Sequence, residues 1–217
     1  MTTDRLLSEL LDGTVDTLYM VGLSSAIGLL FGVPLGVLLV ATAPGGVLPN
    51  RTLNTVIGAV VNAGRSIPFI ILLVLIAPLT KVLAGTTIGP TAAAVPLTLG
   101  AIPFLARLVE NALREVDPGK VEAASSMGAS RTQIVRSVLL PEALPGLIAG
   151  TTVTVVALIG YSAMAGAIGG GGLGDLAIRY GYQRWDMTVT LACVVVLMAL
   201  VVAVQFVGDL LARATRH

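Results

Sequence analysis

The sequence predicts an all-α integral membrane protein with five transmembrane helices. Three observations carry that expectation. Charged residues are 12 % of the 217 and hydrophobic ones 55 %, whereas soluble domains are roughly a quarter charged. The charges are clustered, and the stretches between them reach the roughly 20 apolar residues that a helix needs to cross the hydrocarbon core. Breaker clusters separate those stretches: Gly and Pro number 25 and 11, a content suited to membrane helices that pack closely and bend. Mean hydropathy is +0.94. A net charge of +1 implies neither a nucleic acid nor an acidic partner.

The first span runs from Val15 to Ala41, with Asp16 at its edge, and stops at Ala43-Pro44-Gly45-Gly46. The second covers Ile67 to Ala84. Before it, Leu53 to Ala63 is apolar on one side only. That segment is either an interfacial lead-in or the first turns of one helix kinked at Pro68. The third span starts near Thr91 and fades into Arg107, Glu110, Arg114 and Glu115, which fall three or four apart and pair with one another on a helix. The fourth runs from Gly146 to Ile168 and the fifth from Met187 to Leu211.

Five crossings put the termini on opposite sides, and Lys and Arg mark the cytoplasmic loops. One arrangement places Arg51, Arg107, Arg114, Lys120, Arg131, Arg136, Arg213 and Arg216 inside, against Arg5, Lys81, Arg179 and Arg184 outside. The N-terminus is then outside and the C-terminus cytoplasmic, with Tyr180, Tyr182 and Trp185 as an outer aromatic belt. The N-terminus does not read as a cleaved signal peptide, because Asp4, Glu9, Asp12 and Asp16 face a single Arg5. Cys193 sits in an apolar run and forms no intrachain disulfide; it reads as a small buried or lipid-facing hydrophobe. His217, the sole histidine, leaves no basis for histidine catalysis, and two-cysteine metal motifs are excluded.

Most of the specific information lies between Glu115 and Pro145. Asp117-Pro118 reads as a helix start. The short helix through Glu122-Ala123-Ala124-Ser125-Ser126-Met127 ends at Gly128, which tolerates a left-handed cap. Ser130-Arg131-Thr132-Gln133 is a capping box opening a second helix, which carries Ile134, Val135, Val138 and Leu139 and ends at Pro141. Ala123 and Ala124 keep one face of the first helix low, and Met127 offers an adaptable apolar contact. By spacing alone an ordinary structured loop stands open beside a partner site.

The run Glu122-Ala123-Ala124, Gly128, Val138 and Leu140-Pro141 resembles the EAA loop of ABC import permeases. Further segments resemble the permease of methionine ABC importers: residues 65–72, 101–110, 158–167, 171–175 and 180–183. The Gly160-Tyr161-Ser162-Ala163-Met164-Ala165-Gly166 segment points to methionine, and the match covers about residues 13 to 209. The resemblance implies a type I ABC importer permease fold in the bacterial plasma membrane. It divides the chain into an extracytoplasmic segment 1–12, a permease domain 13–209 with coupling loop 117–141, and a cytoplasmic tail 210–217. It implies a homodimer, two copies of a cytoplasmic ABC ATPase, an extracytoplasmic substrate-binding (lipo)protein and surrounding lipid. Glu122, Ala123, Ala124, Met127, Gly128 and Ala129 would meet the ATPase, with Pro141 closing the loop. This chain would hold no cofactor and perform no catalysis, ATP and Mg²⁺ being bound by the ATPase.

For the translocation path the expectation rests on the fourth span. Small residues at 160, 162, 163, 165 and 166 flank Tyr161 and Met164 and permit close approach across a symmetry axis. Tyr161, Ser162 and Met164 are therefore the candidate gate. Arg65, Arg107 and Glu110 are the ionisable residues nearest the bilayer, and all three read as interfacial or paired charges near helix ends. Gly169 to Gly172 lacks the Lys-Ser/Thr of a phosphate loop and reads as a flexible re-entrant or docking loop. The same machinery carrying another amino acid or a short peptide stands as an alternative. An ATPase-independent secondary transporter is the alternative of another class; such proteins carry ionisable residues near the midplane and inverted repeats, and the sequence offers neither.

Overall fold

Long apolar runs without internal caps form helices as long as their breakers permit, and the described residues, 3–215 of a computed structural model, are helical nearly throughout. Arg216 and His217 lie outside the described residues. Helix α1 (Thr3–Thr42) is followed by α2 (Arg51–Ser66), α3 (Phe69–Leu75), α4 (Ala77–Ala84) and α5 (Pro90–Arg114). Then come α6 (Pro118–Ser126), α7 (Arg131–Ile134), α8 (Leu140–Gly166), α9 (Gly172–Leu176) and α10 (Met187–Ala214). Among the described residues four helical stretches are long and apolar enough to span a membrane, and five if the bent α2–α3 pair counts as one.

Helix α1 begins twelve residues before the expected Val15, because Leu6 and Leu10 pack on the apolar cluster of Leu173, Leu176, Tyr180, Val189 and Cys193. Its centre is held against α5. A Cβ on Gly32 would lie 3.1 Å from the carbonyl oxygen of Ile102, and one on Gly36 would lie 2.6 Å from that of Ala106. With Gly28 against Ala101, these form a stripe of small residues four apart that lets two backbones meet. Ser24 donates to the Ala94 carbonyl at 3.1 Å across the same seam.

The second crossing differs from the expected single span over residues 67–84. It begins at α2, whose Asn50 cap accepts from the Leu53 amide, and turns by 101° before α3. The cause is Pro68, which cannot donate and which holds Ile67 extended at ψ 122°. The chain breaks again at Ile76 and ends in the left-handed Gly85 at φ +73°. Packing fixes its course along α5: Val61 clusters with Ala106, Gly64 faces Pro103, and Phe69 and Leu72 face Gly100.

The loop helices form as expected at their starts. Asp117 accepts from the Gly119 amide at 2.8 Å, and Ser130 and Gln133 complete both halves of the capping box. The expected stop at Pro141 is absent. A π turn over Val135–Leu139, in which the Leu140 amide reaches back to the Val135 carbonyl, absorbs the donor that Pro141 lacks. Residues 131–166 therefore form one continuous helix of 36 residues. Gly169 to Gly172, expected to be a flexible loop, is packed: the Gly89 amide donates to the Gly169 carbonyl at 2.8 Å. A Cβ on Gly172 would lie 2.7 Å from Thr17 Oγ1. Thr17 Oγ1, itself donating to the Gly13 carbonyl, also accepts from the buried Leu173 amide.

The start of α1, packed on Leu173, and the last turn of α10, beside Glu115, lie at opposite ends of the bundle. The loop end gathers Thr42, Arg114, α6, α7 and the last turn of α10. The glycine end gathers the start of α1, Gly89 and α9.

Candidate functional site: an exposed loop and the helix that continues from it

The loop is anchored to the bundle by its apolar side. Ala124, Ile134 and Leu139 are buried with Leu105, Val109, Leu113 and Ala143, and Ala129 packs against the same cluster. Ala124 is 6 % exposed, so it faces inward rather than forming the low outer face expected of it. The residues left open between 122 and 128 are Glu122, Ala123, Ser125, Ser126, Met127 and Gly128. Met127 is 82 % exposed, a cost that an apolar side chain incurs alone but recovers under a partner. Gly128 has φ +82° with open space where a Cβ would stand, and the Ala129 amide closes the cap on the Ala124 carbonyl at 3.1 Å. Lys120 reaches Glu142 at the start of α8. Beside that ion pair a cleft of about 800 Å³ opens, lined among others by Glu115, Asp209 and Arg213.

Glu110 is the centre of a buried charge cluster. Its carboxylate accepts from Arg107 and, at 3.0 and 2.8 Å, from Nε and Nη2 of Arg114. Its side chain is only 4 % exposed. Such a carboxylate is tolerable only when fully paired. Arg107 also donates to Asn62 of α2, a partner invisible to periodicity because it lies 45 residues away. The expected pairing of Arg107 and Glu110 is thus found, while Arg65 is exposed and takes no part in it. Glu110→Ala leaves Arg107 with Asn62 alone and releases the half-exposed Arg114, and should cost about 1–3 kcal/mol. A lowered melting temperature of the detergent-solubilised chain checks this.

On α8 the residues at 161–166 divide between two faces. Ser162, Ala165 and Gly166 are buried within this chain; Ser162 donates to the Ile159 carbonyl at 2.8 Å. Gly166 and Ala163 hold α9, since a Cβ on Gly166 would meet the Asp175 nitrogen at 2.3 Å. Ser162, Ala163, Ala165 and Gly166 therefore serve contacts inside the chain. Gly160 and Met164, 46 % exposed, lie on the open side. Tyr161 stacks on Phe69 with ring centres 4.6 Å apart and 11° between planes, a contact that joins α8 to the bend after α2. Of the expected aromatic belt, Tyr182 and Trp185 are exposed at 69 % and 84 %. Tyr180 is instead buried, its hydroxyl donating to Glu9 and its ring under Arg179 and Arg184. Cys193 is fully buried.

Four or five candidate crossings and an apolar exterior mark a multi-pass membrane protein, with a folded loop at one end. The family model for the binding-protein-dependent transport system inner membrane component matches residues 16–217, and the chain belongs to that family. It is 57 % identical over 208 residues to the probable D-methionine transport system permease protein MetI of Vibrio cholerae, covering 96 % of this chain and 92 % of that one. It is 51 % identical over 205 residues to the methionine import system permease protein MetP of Bacillus subtilis, covering 94 % and 92 %. Among solved structures, a chain of the MetNI methionine ABC transporter in inward-facing conformations is similar over 100 % of both chains, with 49 % identity and TM-score 0.97. An amino acid ABC transporter solved with histidines shares the fold at TM-score 0.81 and 19 % identity, covering 99 % of this chain and 100 % of that one.

Proposed function

We propose that this chain is the transmembrane permease subunit of an ATP-driven importer of methionine, in its D- or L-form or both. The observation that carries the reading is the exposed helix-loop pair at one end of the bundle, in a chain whose relatives are named for methionine transport. The excess of Lys and Arg at the loop end sets that end in the cytoplasm of a bacterial cell. Two copies assemble about a two-fold axis, because five crossings enclose a pathway poorly and ten enclose it well. Each copy offers Glu122, Ala123, Met127 and Gly128 to one ATPase subunit. ATP and Mg²⁺ are bound there, and this chain performs no catalysis. An extracytoplasmic binding protein delivers substrate at the glycine end.

The loop can act as a lever because it is rigid on both sides. Ala124, Ile134 and Leu139 clamp it to α5 and α8. The continuous helix over 131–166 runs from the docking loop through the π turn to Met164, so a displacement of the loop is carried along its length. Closure of the ATPase pair draws the two loops together and rocks the spans between inward-open and outward-open. Met164, open on α8, meets its counterpart at the axis and plugs the pathway at rest. Met164→Ala is expected to raise the resting leak severalfold or to uncouple ATP hydrolysis from uptake; both unchanged in reconstituted vesicles would remove the gate assignment.

Purification of the tagged chain from its host membranes tests the machinery. A stoichiometric ABC ATPase in the eluate is the expected result. A chain that transports without one would be a secondary transporter.

A further inference from the structure

Arg65 stands where a charge is hard to keep. It ends α2, and its neighbour Gly64 packs on Pro103, so it lies about 15–20 Å from either end of α5. With α5 crossing the bilayer over its length, that level lies within the hydrocarbon core. Among the described residues it has no hydrogen-bond or ion-pair partner, and its side chain is exposed. An unpaired guanidinium at that depth cannot face lipid and turns to water, to protein or to a bound anion. Beside it lies a cavity of about 50 Å³ lined by Gly64, Ile67, Phe69, Gly100, Phe104 and Tyr161. The stacked rings of Phe69 and Tyr161 are part of its wall.

We infer that Arg65 and this ring-lined cavity form a transient intramembrane site for the transported amino acid, the guanidinium taking the α-carboxylate and the rings taking the thioether end. A guanidinium fork matches a carboxylate bidentately, and thioether sulfur lies favourably against aromatic edges. The cavity holds one small end group, so the rest of the ligand extends toward the pathway. The site rests on the methionine-importer reading and adds to it a place within the membrane where substrate pauses.

The test uses the complete transporter in vesicles. Cys193 is fully buried, so a cysteine placed at Ile67 reports the cavity through alkylation of the permease chain, read by mass. Methionine should slow alkylation of Ile67→Cys, methioninol, which lacks the carboxylate, should not, and adding Arg65→Gln should abolish the protection while Arg65→Lys keeps part of it. Methionine uptake run in parallel should show KM raised about tenfold or more in Arg65→Gln. Equal protection by methioninol, protection that survives Arg65→Gln, or an unchanged KM overturns the site while leaving the importer reading intact. Dissociation of the transporter in Arg65→Gln would make the residue a subunit contact and overturn it too. Failure of the wild type to take up methionine would instead overturn the substrate reading, and the site with it.

Discussion

Cells whose only copy of this chain carries Gly128→Asp should insert it normally and take up no substrate. Gly128 sits at φ +82° with nothing near where a Cβ would stand. Aspartate is among the few residues that adopt this conformation at modest cost, so the cap of α6 survives. What changes is the surface: a carboxylate appears between Met127 and Ala129 on the face left open by the bundle. An unpaired charge driven into a docked interface costs several kcal/mol, which corresponds to a loss of about a hundredfold or more. Gly128→Asn has the same shape without the charge and should keep a substantial part of uptake. Membrane level by immunoblot, uptake and ATPase copurification separate the two. If Gly128→Asp transports at the wild-type rate with the ATPase bound, this face of the loop is not the docking surface.

Gly174→Val should destabilise the folded chain strongly. A Cβ at Gly174 would lie 2.4 Å from both the Cα and the carbonyl oxygen of Ala163, and one at Gly166 would meet Gly174 and Asp175 as closely. Both obstacles are backbone, so no side chain can rotate away, and α9 must leave α8. The cost should reach the upper end of overpacking, about 3 kcal/mol or more, or a fall of about 10 °C in the detergent melt. Gly22→Val is the control, since nothing lies within 4 Å of its Cβ position. A Gly174→Val chain that melts with the wild type would contradict the close α8–α9 packing.

The parts of this molecule legible in its sequence are those governed by local chemistry. Runs of apolar residues mark α1, α5, α8 and α10 because a helix in a bilayer satisfies its backbone within itself. Asp117, Ser130, Gln133 and Gly128 mark the loop helices because each meets a backbone group one to four residues away. What was not legible depended on residues far apart in sequence. Pro68 signals a break, but the course taken after the 101° turn depends on Phe69 and Leu72 packing near Gly100, about 30 residues away. Pro141 signals a stop, yet a π turn accommodates it. Ala124 and Ala123 look alike in sequence, and only the cluster around Leu113 and Ile134 turns one inward. The small residues beside Met164 read as an approach between copies, and only the fold shows that Ala163 and Gly166 also seat α9, with Gly174 tight against Ala163. Asn62 and Thr17 carried no signal, their partners lying 45 and 156 residues away.

The measurement that bears most directly on the central claim is uptake of labelled methionine by host cells deleted for this chain, in a background without another methionine importer. The account predicts that deletion removes ATP-dependent uptake and that a plasmid copy of the wild type restores it. Methionine uptake that persists unchanged after deletion would contradict the claim that this permease carries methionine.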